Sequence, residues 1–331
     1  MKRMIALLLA TVLLVGTMTA CNKAPAETQP TETTYVQSAE EQEVLRVLTI
    51  GNSHTNDTTW LLYEVFAKEM PEQKVMLGDL YYSGCTVAQH VMYAKGDLPE
   101  YVYYKNDSGF WDAINGATLS YALEEQVWDK VFLHEMNNNT VLDQTHGNDN
   151  LQTLMDYVTE NTAGTPEFLW NLGWANPVAE EYFAEDYAVK APGGWVGGYQ
   201  ERSDLNYTKM FTQVAEQTQK HTMKNENIVA MAPTGTALCY ARNVMGQTDL
   251  DLYRDYTHLS DFGRLIAAYV WYATLTGKTE ITEVKVDTIP RELRHERFRD
   301  FPLVITEEMK NVIIESVNFA LKNPWTVSPE K

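Results

Sequence analysis

Cysteine, basic residues and long apolar runs are all scarce in this sequence. It has 3 cysteines among 331 residues. It contains neither a CxxC nor an HExxH pattern, so it gives no support for a structural or catalytic zinc site. Lysine and arginine number 26 against 45 aspartate and glutamate residues, and the formal net charge is -19. A surface this acidic repels nucleic acid and favours solubility outside the cell. We therefore predict no metal, no organic cofactor and no nucleic-acid partner.

An apolar stretch close to the N-terminus, residues 4–15, is short for a membrane-spanning helix. Two basic residues precede it, and Met-Thr-Ala before Cys21 resembles a bacterial lipobox. We predict a lipoprotein signal peptide over residues 1–20, lipidation of the Cys21 thiol, and anchoring at the bacterial cell surface or in the periplasm. An uncleaved anchor or a plain signal peptide is the alternative. Residues 21–43 are rich in Thr, Glu, Gln, Pro and Ala, which predicts a flexible tether.

The remainder of the chain, residues 44–325, is long enough for one large domain with a sizeable core. Apolar strand-like runs alternate with helical patterns in it, which predicts an α/β fold around a mainly parallel sheet. Residues 173–203 form a long insertion rich in aromatic residues and glycine, and such insertions often carry function. Cys85 and Cys239 could pair in an oxidising compartment, but their spacing leaves this open.

A serine follows the first predicted strand at once. Val44 to Ile50 is mostly apolar, Gly51-Asn52 breaks the run, and Ser53 comes next. We expect Thr58 to be the N-cap of the helix that follows the serine turn. A serine on a strand-to-helix turn lies above the sheet edge, beside backbone N–H groups that can receive an oxyanion. A plain turn between strand and helix is the alternative interpretation.

A serine nucleophile needs a base, and one of the 7 histidines has a suggestive context. Asp255-Tyr256-Thr257-His258 precedes a long helical pattern, so one loop can present an aspartate and a histidine together. The carboxylate would orient the imidazole and stabilise its charged form. An ordinary helix start, with Ser260 or Asp261 as N-cap, is the alternative, and both interpretations can hold at once.

These two stretches resemble the first and last blocks of the SGNH (GDSL-type) hydrolases, in a bacterial branch whose first block reads GNS. Gly51-Asn52-Ser53 has asparagine where the family usually has aspartate, whereas Asp255 and His258 keep the DxxH pattern. The resemblance implies a three-layer α/β/α, flavodoxin-like hydrolase fold. It also implies an esterase in which Ser53 is the nucleophile, His258 the base and Asp255 its orienting partner.

The resemblance further implies an oxyanion hole. Its donors would be the N–H groups of Ser53 and Gly84 and the side-chain amide of Asn138. The family glycine of the third block is missing, because Met136 stands at its position, so Asn137 is the alternative donor. A loop glycine at position 84 and an asparagine-rich turn are the plain alternatives.

The resemblance and the aromatic insertion together indicate the substrate. We expect hydrolysis of ester-linked acyl groups, O-acetyl groups in particular, on carbohydrate. Trp174 and Trp195 would offer flat faces to sugar rings, and His134 would line the site, although all three could simply pack. A lipid or aryl esterase, or a non-catalytic glycan-binding surface lipoprotein, are the alternatives.

Overall fold

The computed structural model describes residues 44–140, 149–177 and 207–329, with the side chains of residues 138 and 139 excepted. The predicted signal peptide, the tether and most of the insertion lie outside these ranges.

In the described ranges, seven strands form the central sheet: β1 (Val44–Gly51), β2 (Lys74–Tyr81), β3 (Tyr101–Asn106), β4 (Asp112–Ala117), β5 (Lys130–Leu133), β6 (Glu167–Asn171) and β7 (Ile228–Ala232). Their spatial order is β4-β3-β2-β1-β5-β6-β7. Five neighbouring strands are parallel, namely β2, β1, β5, β6 and β7, and β3 and β4 add an antiparallel hairpin at one edge. β1 is therefore central, and its C-terminal end lies where ligands of parallel sheets bind.

Eleven helices accompany the sheet in the same ranges: α1 (Ser53–Thr59), α2 (Leu62–Glu69), α3 (Val87–Gly96), α4 (Leu119–Glu125), α5 (Asn137–Thr140), α6 (Asn150–Asn161), α7 (Tyr207–Lys220), α8 (Thr234–Asn243), α9 (Asp249–Leu252), α10 (Asp261–Thr276) and α11 (Glu307–Lys322). Two short strands, β8 (Thr288–Ile289) and β9 (Leu303–Val304), pair separately.

Side chains of β1 alternate between two hydrophobic cores, one on each face of the sheet. Val47 belongs to the core that α2, α7, α8, α10 and α11 build. Leu48 and Ile50 belong to the core that α3, α4 and α6 build. Helices thus cover both faces, and the predicted three-layer α/β/α fold with a mainly parallel sheet is confirmed.

The first helix begins earlier than the sequence predicts. α1 starts at Ser53, because the Asn52 side chain caps it by accepting from the His54 N–H at 3.0 Å. Thr58, the expected cap, lies inside the helix and donates to the His54 carbonyl at 3.0 Å. The antiparallel β3–β4 hairpin was not predicted from the sequence either.

The two cysteines of the domain do not pair. Cys85 and Cys239 are buried and form no disulfide with each other, and they belong to the cores on opposite faces of the sheet. Among the described residues, no helix is long and apolar enough to cross a membrane.

Candidate active site

The turn after β1 places Ser53 at the first position of α1. The capping residue Asn52 accepts from the His54 N–H, and its Nδ2 donates to the Cys85 carbonyl at 2.9 Å. An ionised aspartate could accept the first hydrogen bond but could not donate the second. Asparagine at this position therefore ties the Ser53 turn to the loop after β2.

Only glycine fits directly before this cap. A Cβ atom on Gly51 would lie 2.4 Å from Thr55 Oγ1, far inside van der Waals contact. That hydroxyl donates to the Asn52 carbonyl at 2.7 Å and thereby tightens the first turn of α1. The close approach of helix and strand end fixes the position from which Ser53 is presented.

The loop before α10 holds a histidine–aspartate pair. Nδ1 of His258 lies 3.0 and 2.9 Å from the two carboxylate oxygens of Asp255. Burial by itself raises the pKa of Asp255, but the hydrogen bond and charge of His258 and two backbone N–H donors outweigh it and lower the pKa to about 2. Asp255 is thus ionised at neutral pH and holds a proton on Nδ1 of His258, which leaves Nε2 to accept another.

Solvent can reach this pair. The His258 and Asp255 side chains are 25% and 32% exposed. The N–H groups of Thr257 and His258 both donate to Asp255 Oδ1, at 2.9 and 2.8 Å. The loop therefore folds around its own carboxylate and keeps the imidazole oriented even though both side chains lie at the surface.

A buried carboxylate joins the serine helix to the histidine loop. Asp57 is four residues after Ser53 on α1 and is fully buried. Its Oδ1 accepts from Arg254 Nη1 at 2.7 Å and from Nε and Nη2 of Arg264 at 2.9 and 2.7 Å. Its Oδ2 accepts from the Leu259 N–H at 2.8 Å. We call these four residues the Asp57 clamp.

The electrostatics of the clamp favour the ionised carboxylate. Burial alone raises the pKa of Asp57, but the charges of Arg264 and Arg254 outweigh burial and hold the pKa far below its usual value. Arg254 and Leu259 stand on either side of the Asp255–His258 stretch, so the clamp fixes that loop against α1. Asp57 was not predicted from the sequence, although an acidic residue one helical turn after the predicted nucleophile was an available signal.

His54 fills the space between the serine turn and the histidine loop. Its ring centroid is 6.0 Å from that of His258 and 4.5 Å from that of Trp174. Its Nε2 lies 2.9 Å from Thr257 Oγ1. The residue after Ser53 thus contacts the residue before His258, which brings the serine turn next to the histidine loop. Among the described residues no hydrogen bond joins Ser53 Oγ to His258; such contacts often tighten only when substrate binds.

Gly84 lies beside the serine turn. Its φ of 61° is in the left-handed region that favours glycine, and the next residue, Cys85, is held by Asn52. Glu135 accepts from the first N–H of α3, that of Val87, at 3.2 Å, and so occupies that helix N-terminus. Gly84 thus lies next to the Ser53 turn, and its oxyanion role stays a prediction.

Of the two candidate oxyanion asparagines, the structure describes the side chain of Asn137 only. Asn137 is buried, and its Nδ2 donates to the Trp174 carbonyl at 2.6 Å. A Cβ atom on Gly173 would lie 1.8 Å from Asn137 Oδ1, so this side chain packs tightly into the protein. The Asn138 side chain lies outside the described residues, and its role stays a prediction.

Trp174 and His134 stand behind His54. Trp174 is fully buried, and its Nε1 donates to the Thr257 carbonyl at 2.9 Å. His134 is buried too, with Nδ1 3.1 Å from the Asn171 carbonyl, and burial lowers its pKa to about 4 although that hydrogen bond opposes the shift. The predicted substrate contacts of both residues stay predictions, and what the structure shows is packing around His54.

Two other predicted residues, Trp195 and Cys21, lie outside the described residues, so their roles in substrate binding and lipidation stay predictions. Within the described ranges, no group of three or more His, Cys, Asp or Glu side chains is arranged to hold a metal ion.

Residues 46–292 match the model of a protein family described as a domain of unknown function, DUF4886. The chain belongs to the DUF4886 family. A crystal structure of a DUF4886 family protein from Bacteroides uniformis shares its fold, at 23% identity and a TM-score of 0.66 over 86% of this chain and 97% of that chain. Among curated proteins, none matches this DUF4886 chain.

Hydrolases are among the other solved structures similar to this DUF4886 chain. A putative SGNH hydrolase from Slackia heliotrinireducens is 18% identical, with a TM-score of 0.45 over 70% of this chain and 99% of that one. A catalytic mutant of an acetylxylan esterase from Geobacillus stearothermophilus is 14% identical, with a TM-score of 0.37 over 70% and 94% of the two chains.

Proposed function

We propose that the protein is a serine esterase that hydrolyses ester-linked acyl groups, O-acetyl groups in particular, on carbohydrate. One observation carries this proposal. An Asp255 carboxylate orients His258 in a loop that the Asp57 clamp fixes to the helix beginning at Ser53. A serine, an oriented imidazole and a carboxylate on one site are the parts that acyl transfer through a covalent intermediate requires.

The proposed reaction has two halves. Ser53 Oγ attacks the ester carbonyl carbon while His258 Nε2 takes the hydroxyl proton, and Asp255 offsets the charge on the imidazolium. The negative oxygen of the tetrahedral intermediate is received by the N–H groups of Ser53 and Gly84 and by the Asn138 amide. The C–O bond to the alcohol then breaks, and His258 gives its proton to the leaving alcohol. Water attacks the acyl-serine in the same way and releases the carboxylic acid.

A row of partly buried aromatic rings supports a carbohydrate substrate. Tyr81 ends β2 and lies opposite Gly51, two residues before the serine. Its ring centroid is 6.1 Å from that of Tyr104, which is 5.9 Å from that of Trp60, and Trp60 stacks on Trp111 at 5.3 Å. Flat apolar ring faces that remain partly open are suited to the apolar faces of sugars.

The place of action follows from the N-terminal prediction. With a lipid on Cys21 and a tether over residues 21–43, the catalytic domain would stand at the bacterial cell surface or in the periplasm, within reach of glycans. The lipid anchor on Cys21 is part of the proposal.

The test is hydrolysis of 4-nitrophenyl acetate and of acetylated xylo-oligosaccharides by wild type and variants. Ser53→Ala and His258→Ala should each lower kcat by about 10⁴-fold or more, and the double variant should be scarcely worse, because removing one member disables the unit. Asp255→Asn should lose roughly 10- to 10⁴-fold, since Asp255 only orients the ring. Ser108→Ala, at an exposed loop serine, is the matched control and should keep wild-type activity.

Other outcomes would contradict the proposal. Full activity of Ser53→Ala, or independent multiplicative losses in the double variant, would show that Ser53 and His258 do not form one catalytic unit. Binding of the oligosaccharide without any turnover by wild type would instead identify a glycan-binding protein. Preference for long-chain acyl esters would identify a lipid esterase.

A further inference from the structure

The proposed reaction gives no role to His54, the residue directly after Ser53. Yet His54 is buried, and both nitrogens of its ring face other groups of the site. Nε2 lies 2.9 Å from Thr257 Oγ1, an ordinary hydrogen-bond distance, whereas Nδ1 lies 3.5 Å from His134 Nε2, which is long for a hydrogen bond. The contact with Thr257 is therefore the strong one.

The proton positions in this group follow from its partners. Thr257 Oγ1 donates to Asn176 Oδ1 at 2.9 Å, and since a hydroxyl has one proton, its oxygen accepts from Nε2–H of His54. Nδ1 of His134 donates to the Asn171 carbonyl, because a carbonyl can only accept. The two nitrogens that face each other at 3.5 Å then both lack a proton, which agrees with their long separation.

The ring of His54 is neutral. Burial is the largest cause that lowers its pKa well below the usual value, and the charges of His134 and His258 act in the same direction. Asp57 and Asp255 raise the pKa, but by less. A neutral imidazole that donates through Nε2 keeps the same hydrogen bond to Thr257 throughout the neutral pH range.

The contacts of Thr257 form a closed triangle directly before His258. Its hydroxyl holds the His54 ring, its carbonyl accepts from Trp174 Nε1 at 2.9 Å, and the Trp174 ring packs on that of His54 with centroids 4.5 Å apart. Thr257 also lies inside the Asp255 turn, to which its N–H donates. Any displacement of Thr257 therefore moves both His258 and the carboxylate that orients it.

We propose that His54 is a positioning residue, whose hydrogen bond to Thr257 sets the place of His258 relative to Ser53. The inference rests on the proposed function, since His258 acts there on the Ser53 hydroxyl. The Asp57 clamp fixes the histidine loop from below through Arg254 and Leu259. His54 fixes it from the site itself, by a side chain on the same helix turn as the nucleophile.

Two substitutions at one position test the inference. The glutamine amide reaches about as far as Nε2 of histidine and can still donate to Thr257, whereas the shorter asparagine amide reaches only the Nδ1 side. We expect His54→Gln to keep kcat within about 10-fold of wild type. His54→Asn should lose about 10²-fold in kcat with KM little changed, the size of loss that a displacement of about 1 Å produces.

The partner side chain gives the matching pair. Thr257→Val removes the hydroxyl at nearly constant shape and should lose as much kcat as His54→Asn, while Thr257→Ser should keep most of it. The double variant with His54→Asn and Thr257→Val should have scarcely lower kcat than the less active of the two single variants, because both substitutions break the same hydrogen bond. His221→Asn, at a histidine outside the site, is the control and should be unaffected.

A readout without turnover separates this inference from the proposed function. The NMR shift of the His258 ring Cε1–H should move in Thr257→Val and stay in place in Thr257→Ser. Both His54 variants remove a ring whose centroid lies 6.0 Å from that of His258, so the signal should differ from wild type in both, and it should move further in His54→Asn than in His54→Gln. Equal kcat losses in the His54→Asn and His54→Gln variants, or an unmoved His258 signal in Thr257→Val, would overturn the positioning role. The esterase proposal would stand in that case as long as Ser53→Ala is inactive. Active Ser53→Ala would overturn the esterase proposal, and the NMR comparison would still decide whether His54 places His258.

Discussion

Replacing Asp57 by asparagine removes one charge from the clamp and changes little else. The carboxylate is fully buried, and its partners Arg254 and Arg264 are 9% and 5% exposed in their side chains. Without the negative charge, two guanidinium groups remain largely out of water with no compensating carboxylate at Asp57. Breaking a buried ion pair by removing one partner costs about 3–5 kcal/mol, because the remaining charge is left uncompensated. We expect Asp57→Asn to lower the free energy of unfolding by this amount.

Urea unfolding measures the change. At a slope of about 3 kcal/mol/M, the expected loss lowers the midpoint by about 1 to 1.7 M. The folded pKa of Asp57 lies below the unfolded value, so the carboxylate stabilises the fold above an unfolded pKa of about 3.9, and this contribution is lost as pH falls below it. The difference between wild type and Asp57→Asn should therefore shrink in acid. Asp112→Asn, at an exposed acid on β4, should stay within about 0.5 kcal/mol of wild type.

The same variant tests whether the clamp serves the site. Because Leu259 and Arg254 stand on either side of the histidine loop, Asp57→Asn should also lower esterase kcat at urea-free conditions where the protein remains folded. A loss of unfolding free energy below about 1 kcal/mol at neutral pH would refute the reasoning. So would a difference that grows in acid, since the sign of the pKa shift excludes it.

Two further predictions concern other parts of the chain. Burial raises the pKa of Asp79 to about 6, against hydrogen bonds from Thr49 and Asn56. A carboxyl whose pKa is raised in the folded state stabilises the fold below its unfolded pKa, and this contribution is lost as pH rises through about 6. The free energy of unfolding of wild type should therefore fall by about 1.4 kcal/mol between pH 5 and 8, a loss that Asp79→Asn does not show. Urea midpoints at both pH values check this, and equal pH dependence in the two proteins would contradict it. Wild type should label with radioactive palmitate and partition into detergent, whereas Cys21→Ala should do neither; labelling of the variant would exclude the lipobox.

Several features of the fold could be predicted because local sequence decides them. The run before Gly51 is a buried strand, and the helical pattern after His258 forms a helix that Ser260 caps. Hydrophobic periodicity and capping residues act over a few positions, so they are visible in the sequence. The β3–β4 hairpin was missed because its tyrosines fit both a strand and a pocket wall, and only pairing with β2 distinguishes them.

The contact between Asp255 and His258 is also decided locally, since the two residues are three positions apart in one loop. The sequence by itself therefore determined the strand, the serine turn, the histidine–aspartate loop and the α/β class. Only the tertiary structure decided how they meet. Asp57 and Leu259 are joined by one hydrogen bond although 202 positions separate them, and His54 and Thr257 are joined across 203. Such contacts depend on the parallel strand order and on burial, which strengthens the attraction within an ion pair and keeps an imidazole neutral. No short stretch of the chain encodes either of them.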